Sequence, residues 1–272
     1  MGNISLIVGT LLSQLSIGCF ITIALCGKSK NEENTEKSNF KGALTAFIIG
    51  CTGLLAIITH LGHPFLAFNA LFNVARSWLS REVVTYGGFL GFLFLYLLAE
   101  KDFIIKGDKA RSILKKITIF FGCVAVVVTS MIYTIPGVPA WNSINTPVSF
   151  VLSAVLMGGS LGIVMSGVYE NEGNKVVGVL LVTSVIAILT TLVYTTTLTM
   201  GITACATTAY LMFVSPMFWI RLALLALVVL LMIYGIAKKK MGMKMLFASA
   251  FCLLFASEVL GRVLFFSTIV RM

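Results

Sequence analysis

Eight long runs of apolar residues, separated by short segments that hold most of the charged residues, constrain this sequence more than any other feature. Each run is about as long as the roughly 20 helical residues that cross the hydrocarbon core of a bilayer. Backbone polar groups in lipid must be hydrogen-bonded within the protein, which leaves helices and closed barrels. Barrel strands alternate apolar and polar residues, whereas these runs are apolar on all sides. The sequence therefore predicts an all-α, polytopic membrane helix bundle.

The composition excludes a soluble domain. Hydrophobic residues make up 58% of the 272 residues and charged residues only 11%, too few to cover a surface that faces water. The net charge of +10 has an explanation at the membrane, because basic residues mark cytoplasmic loops. We therefore expect no nucleic-acid partner.

The ends of the apolar runs place eight predicted transmembrane helices. In chain order they are Ile4–Cys26, Gly42–Leu61, Val83–Ala99, Ile117–Ile135, Pro147–Val168, Val176–Leu198, Phe218–Ala237 and Met245–Thr268. The first run has no basic start and is nearly a full span, so we expect a span and not a cleaved signal peptide. No Gly- or Ser-rich linker divides the sequence, which predicts a single integral membrane domain over residues 1–272.

The basic residues are distributed unequally between the loops. Fifteen of the 20 Lys and Arg residues lie in the odd-numbered loops, and only Arg76 and Arg81 lie in the even-numbered ones. Short loops rich in Lys and Arg stay in the cytoplasm. The pattern predicts that both termini and loops two, four and six are extracytoplasmic. We expect a multi-pass protein of a prokaryotic cell (inner, cytoplasmic) membrane.

Loop two, residues 62 to 82, is too short and too interrupted to cross a bilayer, yet it is rich in Phe, Leu and Trp. This composition favours an interfacial helix or a re-entrant segment at the outer surface. Loop four holds three prolines and no charge, together with Trp141, which suits an ordered interfacial segment or an aromatic anchor.

Ionisable residues inside spans are rare and costly, so each one is informative. Glu258 and Arg262 lie four residues apart in span eight, on one helix face and close enough to pair. One interpretation gives them a role in a site. The other is a self-neutralising pair that packs span eight against its neighbours.

The two histidines, His60 and His63, lie at the outer end of span two, and Glu82 lies at the outer start of span three. An imidazole and a carboxylate at one membrane depth suit proton transfer, because their pKa values can be tuned through neutral pH. The structural alternatives are a histidine bonded to backbone at a helix end and an acidic residue favoured by a helix N-terminus.

Metal and haem sites are not expected. The six cysteines form no CxxC pair, so the sequence offers no ligand set for an iron–sulfur cluster or zinc. His60 and His63 are three residues apart and cannot bind opposite faces of one haem.

Three stretches resemble the membrane anchor subunit of the dimethyl sulfoxide reductase family. They are HLGHPFLAFNALFNVARSWLSREV, VPAWNSINTPVSF and SEVLGRVLFF. Their order, their spacing and the eight-span layout also resemble that family, so the likeness extends over essentially the whole sequence. The first stretch, with its HLG, AFN and LS-x-E strings, is the most specific.

The resemblance implies a function. Such anchors hold no haem or cluster. They bind and oxidise menaquinol and pass the electrons to a four-cluster ferredoxin-like iron–sulfur subunit, which feeds a molybdopterin catalytic subunit in anaerobic respiration. The protein would thus be a non-catalytic anchor with its own quinol-oxidation site.

The resemblance also implies roles for residues. The histidine of HLG and the glutamate of LS-x-E, here His60 and Glu82, would take part in menaquinol binding. We expect Glu82 to accept a proton and His60 to be a hydroxyl partner or second acceptor. The wider quinol pocket would include Asn69, Ser80, Trp141, Glu258 and Arg262.

Two alternatives stay open from the sequence. One is the anchor of a related polysulfide or nitrite reductase type, with similar quinone chemistry. The other is a secondary transporter that couples transport through Glu258 and Arg262, although such sites usually lie at broken helices.

Overall fold

The computed structural model describes residues 2–26, 32–59, 73–103, 107–167, 171–238 and 242–271. In these ranges the secondary structure is helical, with no strand. The helices are α1 (Gly2–Cys26), α2 (Glu32–Ile58), α3 (Trp78–Glu100), α4 (Asp108–Met131), α5 (Asn145–Ser166), α6 (Asn171–Thr199), α7 (Thr203–Val214), α8 (Pro216–Lys238) and α9 (Met243–Ser267). All except α7 are long and apolar enough to cross a membrane. The predicted all-α fold with eight spans is confirmed.

Several helices begin before the predicted spans do. α4 begins at Asp108, nine residues ahead of the predicted Ile117, and α2 begins at Glu32, ten residues ahead of Gly42. The ends of the apolar runs predict where the hydrocarbon core of the bilayer begins. A helix can continue beyond that boundary into water, because its backbone hydrogen bonds still form there. Asp108 also suits the positive end of the helix dipole.

Loop two is shorter than predicted, because α3 begins at Trp78 and takes in Glu82. The rest of the predicted interfacial segment falls mainly on residues 60–72, which lie outside the described residues. His60, His63 and Asn69 belong to this range.

The predicted loop six contains the additional helix α7. Its 12 residues are apolar, but at 1.5 Å per residue they extend about 18 Å, too short to cross the hydrocarbon core. Ala209 and Met212 of α7 pack with Leu198 of α6 and Phe218 of α8. Ser215 is extended, and it separates α7 from the proline that begins α8.

Helix α1 lies against both α2 and α5 at close range. A Cβ atom added to Gly18 would lie 2.0 Å from the carbonyl oxygen of Ala154, and one added to Gly158 would lie 2.3 Å from the Gly18 backbone. Only glycine permits this approach of α1 and α5, as in other membrane helix pairs with small residues at the contact. The close crossing keeps polar residues of α1, such as Gln14, inside the bundle.

Four charged residues that are buried or partly buried in the spans lie at one end or in the middle of the bundle. Glu82 is near the start of α3, Arg221 is near the start of α8, and Glu258 and Arg262 are in the second half of α9. We call this end, which also carries residues 132–144 between α4 and α5, the loop-four end. The helix order therefore brings together residues that are up to 180 positions apart in the sequence.

Candidate functional site

Glu82 is held in the first turns of α3 by a hydrogen bond from the neighbouring helix. Ser77 caps the helix start by accepting the Ser80 backbone N–H at 3.4 Å. Glu82 is 8% exposed, and the Thr129 hydroxyl of α4 donates to its Oε1 at 2.8 Å. A buried carboxylate with one such donor retains capacity to accept further hydrogen bonds.

Other residues in the first turns of α3 hold this part of the helix in place. Ser80 is buried beside Glu82 in sequence. Arg81 turns the other way, donates to the carbonyl oxygens of Val74 and Ala75, and lies over the Trp78 ring. Arg81 thereby ties residues 73–77 to the start of α3. One turn along α3, Tyr86 donates to the Gly50 carbonyl of α2 at 2.8 Å.

Five aromatic residues form a compact ring cluster at the loop-four end: Tyr133, Trp141, Phe150, Phe265 and Phe266. Trp141 and Phe265 are stacked, with centroids 4.7 Å apart and an interplanar angle of 5°. The Trp141 indole N–H also donates to the Phe265 carbonyl at 3.0 Å. Tyr133 contacts the other four rings at centroid distances of 5.4 to 5.6 Å. The ring cluster joins residues 132–144 to α5 and α9.

On the α9 side of the ring cluster lie three charges that we call the charge cluster: Glu258 and Arg262, which are buried, and Arg221, which is partly buried. Glu258 and Arg262 lie four residues apart on α9, as the sequence predicts, but the described residues show no direct ion pair between them. Among the described residues, the ion pair of Glu258 is with Arg221 of α8, at 3.6 Å between Oε1 and Nη2. Ser153 of α5 donates to the other carboxylate oxygen. The sequence spacing within α9 could not reveal a partner on another helix.

Arg262 is instead stabilised by polar and aromatic contacts. Its Nη2 donates to Gln14 Oε1 of α1 at 2.8 Å, and its guanidinium lies 3.9 Å from the Phe150 ring centroid. Such cation–π contacts are worth about 2 kcal/mol or more when desolvated. With two arginines and one glutamate, the charge cluster keeps a formal charge of +1. The Nε of Arg221 and the Nε2 of Gln14 are buried and find no hydrogen-bond partner among the described residues.

A polar cleft extends from the charge cluster to the loop-four end and has a cavity volume of about 60 Å³. Its walls come from residues 140–145 and from α5, α6, α7, α8 and α9. The polar residues that line it are Asn145, Ser149, Ser153, Thr190, Thr191, Tyr194, Thr208, Arg221, Glu258, Arg262 and Thr268. Tyr194 of α6 donates to the Ala140 carbonyl and closes one side.

The structure divides the predicted site residues into two groups. Ser80 and Glu82 lie on the α3–α4 side, whereas Trp141, Glu258 and Arg262 line the polar cleft. His60 and Asn69 lie outside the described residues, so their predicted roles stay predictions.

Sequence reasoning missed several partners of the charged residues: Gln14, Thr129, Tyr133 and Ser153, together with the pairing role of Arg221. Gln14 is the one amide in the first predicted span, and this was a usable signal. Serine and threonine are common in membrane helices, because their hydroxyls can donate to carbonyl oxygens of their own helix. Their presence in a span therefore does not indicate that they bind a charged residue of another helix.

Metal ligands do not gather in the described residues: they contain no group of three or more His, Cys, Asp or Glu side chains that could hold an ion. What they do contain is a carboxylate, hydroxyls and arginines buried between helices. That arrangement suits the binding of polar groups and the movement of protons within the membrane domain.

Eight membrane-length helices with ionisable residues buried between them define a polytopic membrane protein. The protein belongs to the DMSO reductase anchor subunit (DmsC) family, whose model matches residues 1–268. The resemblance inferred from the three sequence stretches is thereby confirmed.

Individual relatives are similar over a shorter part. A subunit of the anaerobic dimethyl sulfoxide reductase of Haemophilus influenzae is 29% identical over 161 residues, which cover 57% of this protein and 56% of the relative. The subunit of the same name in Escherichia coli is 27% identical over 173 residues, 62% of this protein and 59% of the relative. The anaerobic dimethyl sulfoxide reductase subunit YnfH of Escherichia coli is 25% identical over 156 residues, 56% and 54%. The matched part spans little more than half the length of these curated relatives.

Replacing Arg262 by methionine tests the charge cluster. We expect Arg262→Met to lower the free energy of unfolding by about 3 kcal/mol, at the lower end of the cost of breaking a buried ionic network, because Glu258 keeps Arg221. The measurement is equilibrium unfolding in mixed detergent micelles. Lys116→Met, at an exposed position of α4, serves as the control and should stay within about 0.5 kcal/mol of the wild type. Equal effects of the two substitutions would contradict the stabilising role of Arg262.

Proposed function

We propose that this protein is the membrane anchor of a molybdenum-dependent terminal reductase of the dimethyl sulfoxide reductase type. In this proposal it binds menaquinol, supports its oxidation, and passes the electrons to an iron–sulfur subunit that feeds a molybdopterin catalytic subunit. Family membership supports the anchor role, and it favours the dimethyl sulfoxide reductase type over the polysulfide or nitrite reductase type. The observation that carries the quinol site is the buried Glu82 carboxylate and its Thr129 donor.

The residues present fit a quinol as substrate. A quinol needs an apolar environment, hydrogen-bond partners for its two hydroxyls and a base for each proton that it releases. Thr129 occupies Oε1 of Glu82, and the remaining lone pairs of this carboxylate are suited to accept a quinol hydroxyl. Tyr86, one turn after Glu82 on α3, is stacked on Phe89 within the apolar core of the bundle.

In the proposed reaction, Glu82 receives a hydroxyl proton when electrons leave the quinol. Thr129 fixes the orientation of the carboxylate before the substrate arrives, so little reorganisation is required at the reacting step. His60 is proposed as the partner of the second hydroxyl, with Asn69 and Ser80 nearby in sequence. In this proposal the electrons leave for a cluster of the partner subunit.

The distribution of basic residues supports a docking side for that partner. If the odd-numbered loops are cytoplasmic, the loop-four end and Glu82 lie toward the extracytoplasmic face. We propose that the iron–sulfur subunit docks there, over residues 59–77 and 132–144 of an anchor in the prokaryotic cell membrane. A quinol site at that end keeps the distance to the partner's nearest cluster short.

Replacing Glu82 by glutamine tests the assigned proton acceptor. We expect Glu82→Gln to lower menaquinol-linked turnover of the assembled complex at least about 100-fold, within the range for loss of a general base. Turnover with an artificial dye that reduces the partner subunits directly should stay unchanged. Glu100→Gln, at the other end of the same helix, is the matched control and should keep wild-type quinol turnover. Undiminished quinol oxidation by Glu82→Gln would remove Glu82 from the site.

Reporter fusions test the proposed orientation. Alkaline phosphatase is active only outside the cytoplasm. Green fluorescent protein does not fold after Sec-dependent export, so it fluoresces only when the fusion point is cytoplasmic. Fusions after Asn142 should give phosphatase activity without fluorescence, and fusions after Asp102 should give the reverse. The opposite pattern would place the loop-four end in the cytoplasm and overturn the proposed docking side.

A further inference from the structure

The polar cleft beside the ring cluster has no task in the quinol site described above. It is narrow: its volume of about 60 Å³ is well below the roughly 300–1,000 Å³ of pockets that hold organic ligands. One buried water needs roughly 10–15 Å³. The cleft therefore suits a short file of water molecules and not the fused rings of a naphthoquinol.

The walls of the cleft also suit water. The hydroxyls of Ser149, Thr190, Thr191 and Thr208 donate to carbonyl oxygens of their own helices at 2.7 to 3.2 Å. Their oxygen lone pairs are thus free to accept hydrogen bonds from the cleft. A water that bridges buried polar groups needs two to four such partners, and the lining supplies them on α5, α6 and α7.

Glu258 closes the inner end of the cleft. Glu258 and Thr268 both line the cleft and are ten positions apart, a distance of about 15 Å along the α9 axis. The cleft therefore extends from the middle of the bundle to the loop-four end. The carboxylate is held by Ser153 and Arg221. Arg221 also lines the cleft, and its buried Nε has no hydrogen-bond partner among the residues that the structure describes. A water in the cleft can accept a hydrogen bond from this donor.

Tyr133 lies between the two sides of the site. It is 8% exposed and packs against Trp141 and Phe265, both of which line the cleft. On the α4 side, Tyr133 follows Thr129, the donor to Glu82, by four residues, about one helical turn. On the other side, the Phe150 ring that Tyr133 contacts lies against the Arg262 guanidinium. Among the five rings of the ring cluster, Tyr133 has the one hydroxyl, and a hydroxyl can accept a proton while it donates its own.

We propose that the polar cleft is a hydrated half-channel through which protons released by quinol oxidation leave the membrane domain, with Tyr133 as the link and Glu258 as the proton-carrying group at the inner end. The inference rests on the proposed quinol oxidation. Each quinol yields two electrons, which pass to the iron–sulfur subunit, and two protons. Glu82 binds the two protons one after the other, and each passes by way of Tyr133 to Glu258, which releases it to the water of the cleft.

Substitutions at Glu258 test the relay in the assembled complex reconstituted in lipid nanodiscs. Glu258→Gln should lower kcat for menaquinol at least about tenfold, with KM and dye-linked turnover unchanged. Glu258→Asp should recover most of the rate. Glu258→Gln turnover should also show a larger solvent deuterium isotope effect than wild-type turnover, which a purely structural role would not produce. Wild-type kcat in Glu258→Gln overturns the proposal. So does a loss that Glu258→Asp fails to recover.

Thiol labelling tests the hydration of the cleft without any use of quinol, and it applies even if Glu258→Gln fails to assemble. Thr191 lines the cleft, whereas Leu189 is 55% exposed on the outer surface of the same helix, ten residues from its end at Thr199. In the whole complex, Thr191→Cys should react with a charged, water-soluble methanethiosulfonate at least about tenfold faster than Leu189→Cys, because the thiolate forms only in contact with water. Mass spectrometry of the α6 peptide separates these sites from native cysteines. Equal labelling overturns the half-channel.

The two experiments separate failure of this inference from failure of the proposed function. Suppose that the wild-type complex oxidises menaquinol, that Glu82→Gln does not, and that Glu258→Gln has the wild-type kcat. This result supports the quinol site and contradicts the half-channel. If the wild-type complex does not oxidise menaquinol, the proposed function is contradicted, and the half-channel then has no source of protons.

Discussion

The placement of charged groups inside lipid is the constraint on which the rest of this structure depends. A charged side chain at the centre of a membrane helix costs about 2.5–3.5 kcal/mol on insertion scales, and each charge must find partners from other helices. Arg262 finds Gln14 of α1 and Phe150 of α5, and Glu258 finds Arg221 of α8 and Ser153 of α5. The charge cluster thereby fixes the positions of α1, α5, α8 and α9 relative to one another.

The close crossing of α1 and α5 serves the same constraint. Glycines 18 and 158 bring the two backbones together, and the buried polar face of α1 then reaches α9 through Gln14. A larger residue at either glycine would separate the helices and withdraw the amide from Arg262. The close packing of α1 on α5 and the compensation of the Arg262 charge therefore depend on each other.

The ring cluster divides the loop-four end into two environments. On one side, Glu82 is enclosed by α3 and α4, with a single hydroxyl donor. On the other side, hydroxyls and arginines line a cleft of a few water volumes. An apolar site for a redox substrate next to a narrow polar exit would keep bulk water away from the reacting hydroxyls while protons leave. This division is our reason for separating Glu82 from Glu258 in function.

The sequence predicted the features that depend on composition along the polypeptide. Eight spans and the special status of Glu82, Glu258 and Arg262 follow from where apolar runs end and where charges interrupt them. It could not predict α7, because 12 apolar residues fit a loop as well as a short helix. Nor could it pair Glu258 with Arg221, since that contact depends on helix order in space. The secondary-transporter alternative loses support from α9, which continues as an unbroken helix through Glu258 and Arg262.

Photolabelling of the assembled complex with a photoreactive naphthoquinol analogue tests the central claim most directly, because it maps the ring position by mass spectrometry of the modified peptides. The account predicts labels in the peptides that contain Glu82 and Thr129, with competition by unlabelled menaquinol. Labels concentrated on residues 187–194 and 258–268, or at the opposite end on residues 101–116, would contradict it.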